Sequence, residues 1–196
     1  MKNLLITGFD AFGGENINPS WESVKLINEK TANFNVTKLQ IPTVFGKASE
    51  IVVKKAEEIK ADVIICVGQA GGRKAVTAEV VAINLMEAKI PDNEGNQPVN
   101  QPIVDGGDNA YFSTLPVREI VAKLKNEGID ADLSFSAGAF VCNELLYTLL
   151  QKYDKTNVKV GFIHVPFLPE QAKNNQPSMP LDTIVKALET VINACV

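Results

Sequence analysis

The chain has 196 residues, 45% of them hydrophobic and 21% charged, and its 19 basic and 23 acidic side chains leave a net charge of −4. That is enough apolar material for one α/β domain with a sizeable core, and the absence of a basic block or an interleaved aromatic stripe gives no support to nucleic-acid binding. No segment approaches the length of a bilayer span, and the short apolar stretch Met1–Gly8 reads as a first strand, so the expected partners exclude membranes and the expected compartment is the cytoplasm.

Short apolar runs alternate with helical patterns along the chain. Strands are expected at about 3–8, 35–41, 61–67, 79–86, 129–135 and 157–164, and helices at about 19–30, 44–60, 115–127, 139–152 and 180–195. The alternation predicts a single α/β domain over residues 1–196, in three αβα layers, with a twisted, mostly parallel sheet covered on both faces. In the third helix Val117, Ile120, Val121 and Leu124 recur at the spacing of one buried face, between a start signal at Pro116 and a stop signal at Gly128. Residues 87–112, rich in Pro, Gly, Asp and Asn, break the rhythm and read as a functional loop, a hairpin or an interface element, with a flexible surface loop as the alternative.

The three cysteines form no CxxC pair and suit neither a disulfide framework nor, with one histidine, a zinc site. Cys66 lies inside the apolar run Val63–Val67, and Cys195 continues the stripe Ile184, Val185, Leu188, Val191 and Ile192, so both read as core residues. Cys142 has no such explanation. It stands where a strand-like stretch turns into a helix, close to partly positive backbone N–H groups that would favour its thiolate. The only imidazole, His164, stands where the run 158–163 must leave the sheet, the place where α/β proteins put their sites. A structural histidine and a buried thiol are the plain alternative; their shared position at element ends nominates them as a nucleophile and its base.

Two glycine-rich turns follow strands, Gly8-Phe9-Asp10-Ala11-Phe12-Gly13-Gly14 and Gly68-Gln69-Ala70-Gly71-Gly72-Arg73. Neither has a dinucleotide or P-loop spacing, but the two could frame one pocket with backbone amides available to an oxyanion. A Cys–His pair commonly needs a third group to orient the imidazole. Glu79, Glu87, Asp92 and Asp105 lie in plausible neighbouring segments, while Glu144, two positions from Cys142, faces another side of the helix.

Seven blocks in order then carry a resemblance. They are Gly8-Phe9-x-x-Phe12-Gly13-Gly14 with Asn18-Pro19-Ser20, Gly68-Gln69-Ala70-Gly71-Gly72-Arg73, Glu79-x-Val81-Ala82-Ile83-Asn84, Ile90-Pro91-Asp92-Asn93-x-Gly95-Asn96-Gln97-Pro98, Tyr111–Pro116, Ala137-Gly138-x-Phe140-Val141-Cys142-Asn143 and His164-Val165-Pro166. From Thr7 to about Gln171 the chain resembles the type I pyroglutamyl peptidases, cytosolic cysteine peptidases also called pyrrolidone-carboxylate peptidases.

The resemblance implies Cys142 as nucleophile, His164 as general base and then acid, and Glu79 as the orienting carboxylate. It also implies that Phe9, Phe12 and Phe140 line a pocket for the pyroglutamyl ring, that Gln69 backbone groups read the lactam, and that Arg73 and Lys89 are oxyanion or auxiliary groups. No metal or organic cofactor is implied; the partners are N-terminally pyroglutamylated peptides, and the expected assembly is a homotetramer. The chain departs from the family at Ala11, where Pro is usual, at Val80, where Arg follows the catalytic Glu, at Glu87-Ala88-Lys89, where Asp-Ala-Arg is usual, and at Ala139, often Thr. Lysine at position 89 keeps the charge and loses the planar guanidinium fork. The rival expectations are a related lactam or amide hydrolase and a non-catalytic small-ligand binding domain.

Overall fold

The computed structural model describes residues 1–196. Its strands are β1 (Lys2–Phe9), β2 (Phe34–Ile41), β3 (Val63–Gln69), β4 (Val76–Glu79), β5 (Val81–Ile83), β6 (Ala110–Phe112), β7 (Ala131–Ser134) and β8 (Lys159–Val165). Its helices are α1 (Pro19–Val24), α2 (Lys47–Ile59), α3 (Val117–Asn126), α4 (Val141–Lys152) and α5 (Leu181–Ala194). Six strands form one sheet in the order β2-β1-β3-β8-β4-β7.

The expected αβα layering is present. Alternation along the central strands sends Leu4, Ile6, Ile65, Val67, Ile163 and Val165 into a core shared with α1, α3 and α5. The opposite residues, Leu5, Ile64, Cys66, Val160 and Phe162, pack with α2 and α4. Cys66 and Cys195 are both buried, as their apolar surroundings predict. Gly8 lets α1 approach the sheet, since a Cβ there would lie 2.7 Å from the Trp21 backbone; Phe9 N–H donates to Ser20 Oγ (2.9 Å) and Asn18 caps the helix. The first glycine-rich turn therefore serves helix–strand packing, and its Phe9 amide is already committed.

Two expectations need correction. The helix expected over 19–30 ends at Val24. The strand expected over 79–86 is divided, because Val80 N–H donates to Ser134 O (2.8 Å) while Val80 O accepts from Ser113 N–H (2.9 Å), carrying the chain from the six-stranded sheet into the hairpin-like pair β5·β6. The sheet is mostly parallel, as expected: β1, β2, β3 and β8 are parallel and β7 is parallel to β4, while β4 runs antiparallel to β8.

The 87–112 excursion is tied down at several points. Asn84 accepts the N–H groups of Ile103 and Val104 and donates to Val104 O, and Met86 pairs with Gln101. Asn143, in the first turn of α4, accepts Ile83 N–H and donates to the carbonyls of Ile83 and Leu85. The residue next to Cys142 thus fastens the start of α4 to β5.

Candidate active site

His164 is the penultimate residue of β8 and nearly buried. In the sheet it stands beside Gly68 of β3 and Thr77 of β4. Glu79 lies diagonally across on the same face, completely buried, and its Oε1 is 2.7 Å from His164 Nδ1. Against an ionised carboxylate, Nδ1 carries the proton and Nε2 keeps its lone pair. Burial pushes the Glu79 carboxyl up, but the hydrogen bond and charge of His164, with Ser134 and Arg73, outweigh it and hold the group below the ordinary carboxylate range. Of the four acids open on sequence, only Glu79 bonds the imidazole. Asp92 and Glu87 accept backbone N–H groups of their own loop, and Asp105 is exposed.

Cys142 is the second residue of α4 and half-buried. Gly68 brings it to the histidine: a Cβ at Gly68, the residue paired with His164, would lie 3.1 Å from Cys142 Sγ and 2.7 Å from the Phe162 ring. The missing side chain is the space the thiol occupies. Gly68→Ala is therefore expected to displace the Cys142 thiol against a buried ring and cost about 10²-fold or more in kcat/KM, since misplacement near 1 Å has that effect; steady-state kinetics on the folded variant checks it, and an unchanged rate would contradict the placement.

The thiolate expected from the helix start is not the resting form. Burial, reinforced by the negative charge of Glu79, pushes the Cys142 thiol up to about 12, although its own backbone N–H and Arg73 pull the other way. A neutral thiol needs a base at the moment of attack.

Arg73 turns towards the acid. Its Nη1 donates to Glu79 Oε1 (3.0 Å) and Thr77 Oγ1 (2.7 Å), and Nη2 reaches Ser136 O (3.4 Å). Gln69 ends β3 with its side-chain carbonyl accepting from Gln171 Nε2. The expected aromatic trio is divided. Phe12 and Phe140 pack together with ring centroids 6.1 Å apart, whereas Phe9 is the last residue of β1 and sits in the core, 6.3 Å from Phe162, which in turn lies 4.7 Å from the His164 ring.

The member that sequence reasoning missed is Phe45, edge-on to Phe140 at 5.2 Å. Asp92 holds it there by accepting Phe45 N–H (3.0 Å), while its other oxygen takes the N–H groups of Glu94 and Asn96. Burial raises the Asp92 carboxyl, yet the donors around it prevail and keep it low. The Pro-Asp-Asn-x-Gly-Asn run carries the signature of such a side-chain-closed turn. Asn93 adds bonds to Asp10 and to Ala11 O, clipping this loop to the first glycine-rich turn. A cavity of about 290 Å³ beside Phe140 is lined by Phe140, Gly138, Ala139, Ile90, Glu87 and Lys89.

Glu144 is buried without a cation. Its Oε1 lies 2.8 Å from Ser49 Oγ and 3.1 Å from Thr148 Oγ1, and its Oε2 has no partner. Ser49 also bonds Gly46 O, so its one hydroxyl proton serves that carbonyl when a protonated Glu144 donates to it. Burial raises this carboxyl above its ordinary value. A raised folded value means that its stabilising contribution is complete below the unfolded value of 4.5 and is lost as pH rises towards the folded one. Glu144→Gln should therefore match the wild-type Tm below pH 4.5 and exceed it increasingly as pH rises above that value; thermal melts across pH that run parallel would refute this.

A sequence model described as "Pyroglutamyl peptidase" matches residues 2–196. The chain belongs to the pyroglutamyl peptidase family. It is 54% identical over 198 residues to a pyrrolidone-carboxylate peptidase of Bacillus cereus (strain B4264), covering 98% of this chain and 92% of that protein. The pyroglutamyl peptidase I crystal structure from Bacillus amyloliquefaciens superposes with a TM-score of 0.96 at 48% identity, covering 100% of this chain and 95% of that one. The pyrrolidone carboxyl peptidase of Thermococcus litoralis gives a TM-score of 0.95 at 37% identity, covering 100% and 93%.

Proposed function

We propose that this chain, acting as one domain over residues 1–196, is a cysteine peptidase that removes an N-terminal pyroglutamyl residue from peptides. The observation that carries the reading is the buried 2.7 Å bond between Glu79 and His164, at a strand end whose neighbour Gly68 admits the Cys142 thiol. Family membership supplies the substrate class. His164 Nε2 takes the thiol proton as Sγ attacks the carbonyl carbon that joins the ring to the peptide. The negative oxygen that results meets N–H groups at the start of α4, the Cys142 N–H among them. His164 returns the proton to the departing amine, and water, deprotonated by the same imidazole, releases pyroglutamate from the thioester.

The cavity beside Phe140 and Ile90, with Phe12 packed behind it, suits a neutral lactam ring, and Gln69 is the group expected to read the lactam. Phe9 supports this site through Phe162, and Lys89 lines the cavity. The test compares pyroglutamyl and prolyl amides with one leaving group, before and after thiol alkylation. The pyroglutamyl amide should be cleaved, the prolyl amide should fail because its protonated ring nitrogen and missing carbonyl leave the site unpaired, and alkylation should stop turnover. Comparable cleavage of both would move the reading to a broader aminopeptidase.

The same proposal takes the chain to be a cytoplasmic homotetramer. No helix is long and apolar enough to cross a membrane. Phe112 and Phe135 are large apolar side chains, 71% and 65% exposed, flanking Val80, and such surface is what subunit contacts cover.

A further inference from the structure

Glu79 Oε1 accepts two donors at once, His164 Nδ1 at 2.7 Å and Arg73 Nη1 at 3.0 Å, while Oε2 of the same buried carboxylate has no partner. Both donors therefore share one oxygen. Arg73 is also fixed from two further sides, by Thr77, the residue opposite His164, and by the Ser136 carbonyl on the segment that leads into α4. Building on the reading of Cys142, His164 and Glu79 given above, we infer that Arg73 is a positioning residue for the catalytic pair: it keeps Glu79 ionised while His164 is neutral, and weakens the pull of that carboxylate once His164 becomes charged.

When the imidazole is neutral, as a base must be at the moment of attack, the Glu79 charge without Arg73 would be buried with no cation beside it, which strongly disfavours ionisation. A protonated Glu79 would no longer demand a proton on Nδ1, and the imidazole tautomer with its lone pair on Nε2 would lose its support. After proton transfer from Cys142, the carboxylate is shared between imidazolium and guanidinium, so His164 is not trapped as a permanent cation and can give its proton to the leaving amine. The charged or titratable groups facing the pair are Arg73, from the turn after β3, and Cys142, at the start of α4; Thr77 on β4, Ser134 on β7 and Phe162 on β8 are neutral neighbours. Arg73 is the one cation in contact with Glu79 besides the imidazole.

Removing the guanidinium makes proton uptake by the pair easier, whether the proton settles on the acid or on the imidazole, so both routes shift the titration in one direction. The experiment is the pH dependence of kcat and KM for a pyroglutamyl amide with wild type, Arg73→Gln and Arg73→Lys. The acid limb of the Arg73→Gln profile should move to higher pH by about one unit or more, as expected for an opposite charge lost at this distance. At neutral pH kcat should fall by at least about tenfold with KM little changed, because the aromatic cavity is untouched. Arg73→Lys should keep the acid limb near its wild-type position.

A uniform loss of kcat with an unmoved acid limb would overturn the inference in favour of a contact to the oxyanion or a structural role, and so would an undiminished rate. If Arg73→Gln melts early, Arg73→Lys still decides, since a lysine acid limb displaced by about one unit or more would contradict a charge effect. Failure of the wild-type protein to cleave the pyroglutamyl amide would sink the proposed function instead.

Discussion

Cys142→Ala should abolish turnover of a pyroglutamyl amide, with kcat/KM falling by about 10⁴-fold or more, as loss of a covalent nucleophile does. The fold should survive. The side chain is half-buried in the first turn of α4, where alanine is a good helix former, and the turn is secured independently by Asn143. Cys66→Ala and Cys195→Ala remove buried sulfurs that bond no catalytic group, so they should change stability and leave the chemistry in place. Alkylation sharpens the expectation. With the thiol held near 12, modification of Cys142 should be slow near neutrality and accelerate as pH rises, while the two buried cysteines stay unlabelled until the protein unfolds. Residual activity of the alanine variant close to wild type would remove the thiol from the mechanism.

Glu79→Gln should be nearly as damaging while changing almost no volume. The carboxamide can present its oxygen or its nitrogen to Nδ1, and no charge remains to stabilise the imidazolium, so kcat should fall by about 10²- to 10⁴-fold with little effect on KM. Its stability has the opposite pH dependence to that of Glu144. Because the folded carboxyl of Glu79 is held below 4.5, its contribution is present above that pH and is lost as acid takes pH down through the folded value. Melting curves of wild type and Glu79→Gln should therefore diverge above that range and converge in stronger acid. An undiminished rate in Glu79→Gln would mean that another group orients His164.

The periodic parts of this molecule were legible because burial dictates them. Runs such as Val63–Val67 and the stripe on α5 announce core strands and helices whatever their neighbours do. The antiparallel entry of β4 was not legible, since strand direction depends on which partner a segment meets after a long connection. Nor was the break at Val80, a residue with ordinary strand propensity whose two backbone groups bond to different sheets. At the site, Cys142 and His164 stood out through scarcity and position, and Glu79 through resemblance alone, because spacing cannot rank four acids. Phe45 was invisible for a different reason. It precedes a helix in unremarkable sequence, and its role exists because Asp92, 47 positions away, accepts its N–H.

β8 is the last strand to be synthesised, yet it lies in the interior of the sheet, between β3 and β4. Until residues 159–165 emerge from the ribosome, the earlier strands can form only two unjoined pieces, β2-β1-β3 on one side and β4-β7 on the other. The histidine arrives on the strand that joins them, and its partner Glu79 waits 85 residues upstream. Such a distant closure is slow relative to helix formation. Cys142 and Glu79 are thereby held apart from the imidazole until the sheet closes, so the three side chains come together only in the final joining of its two halves.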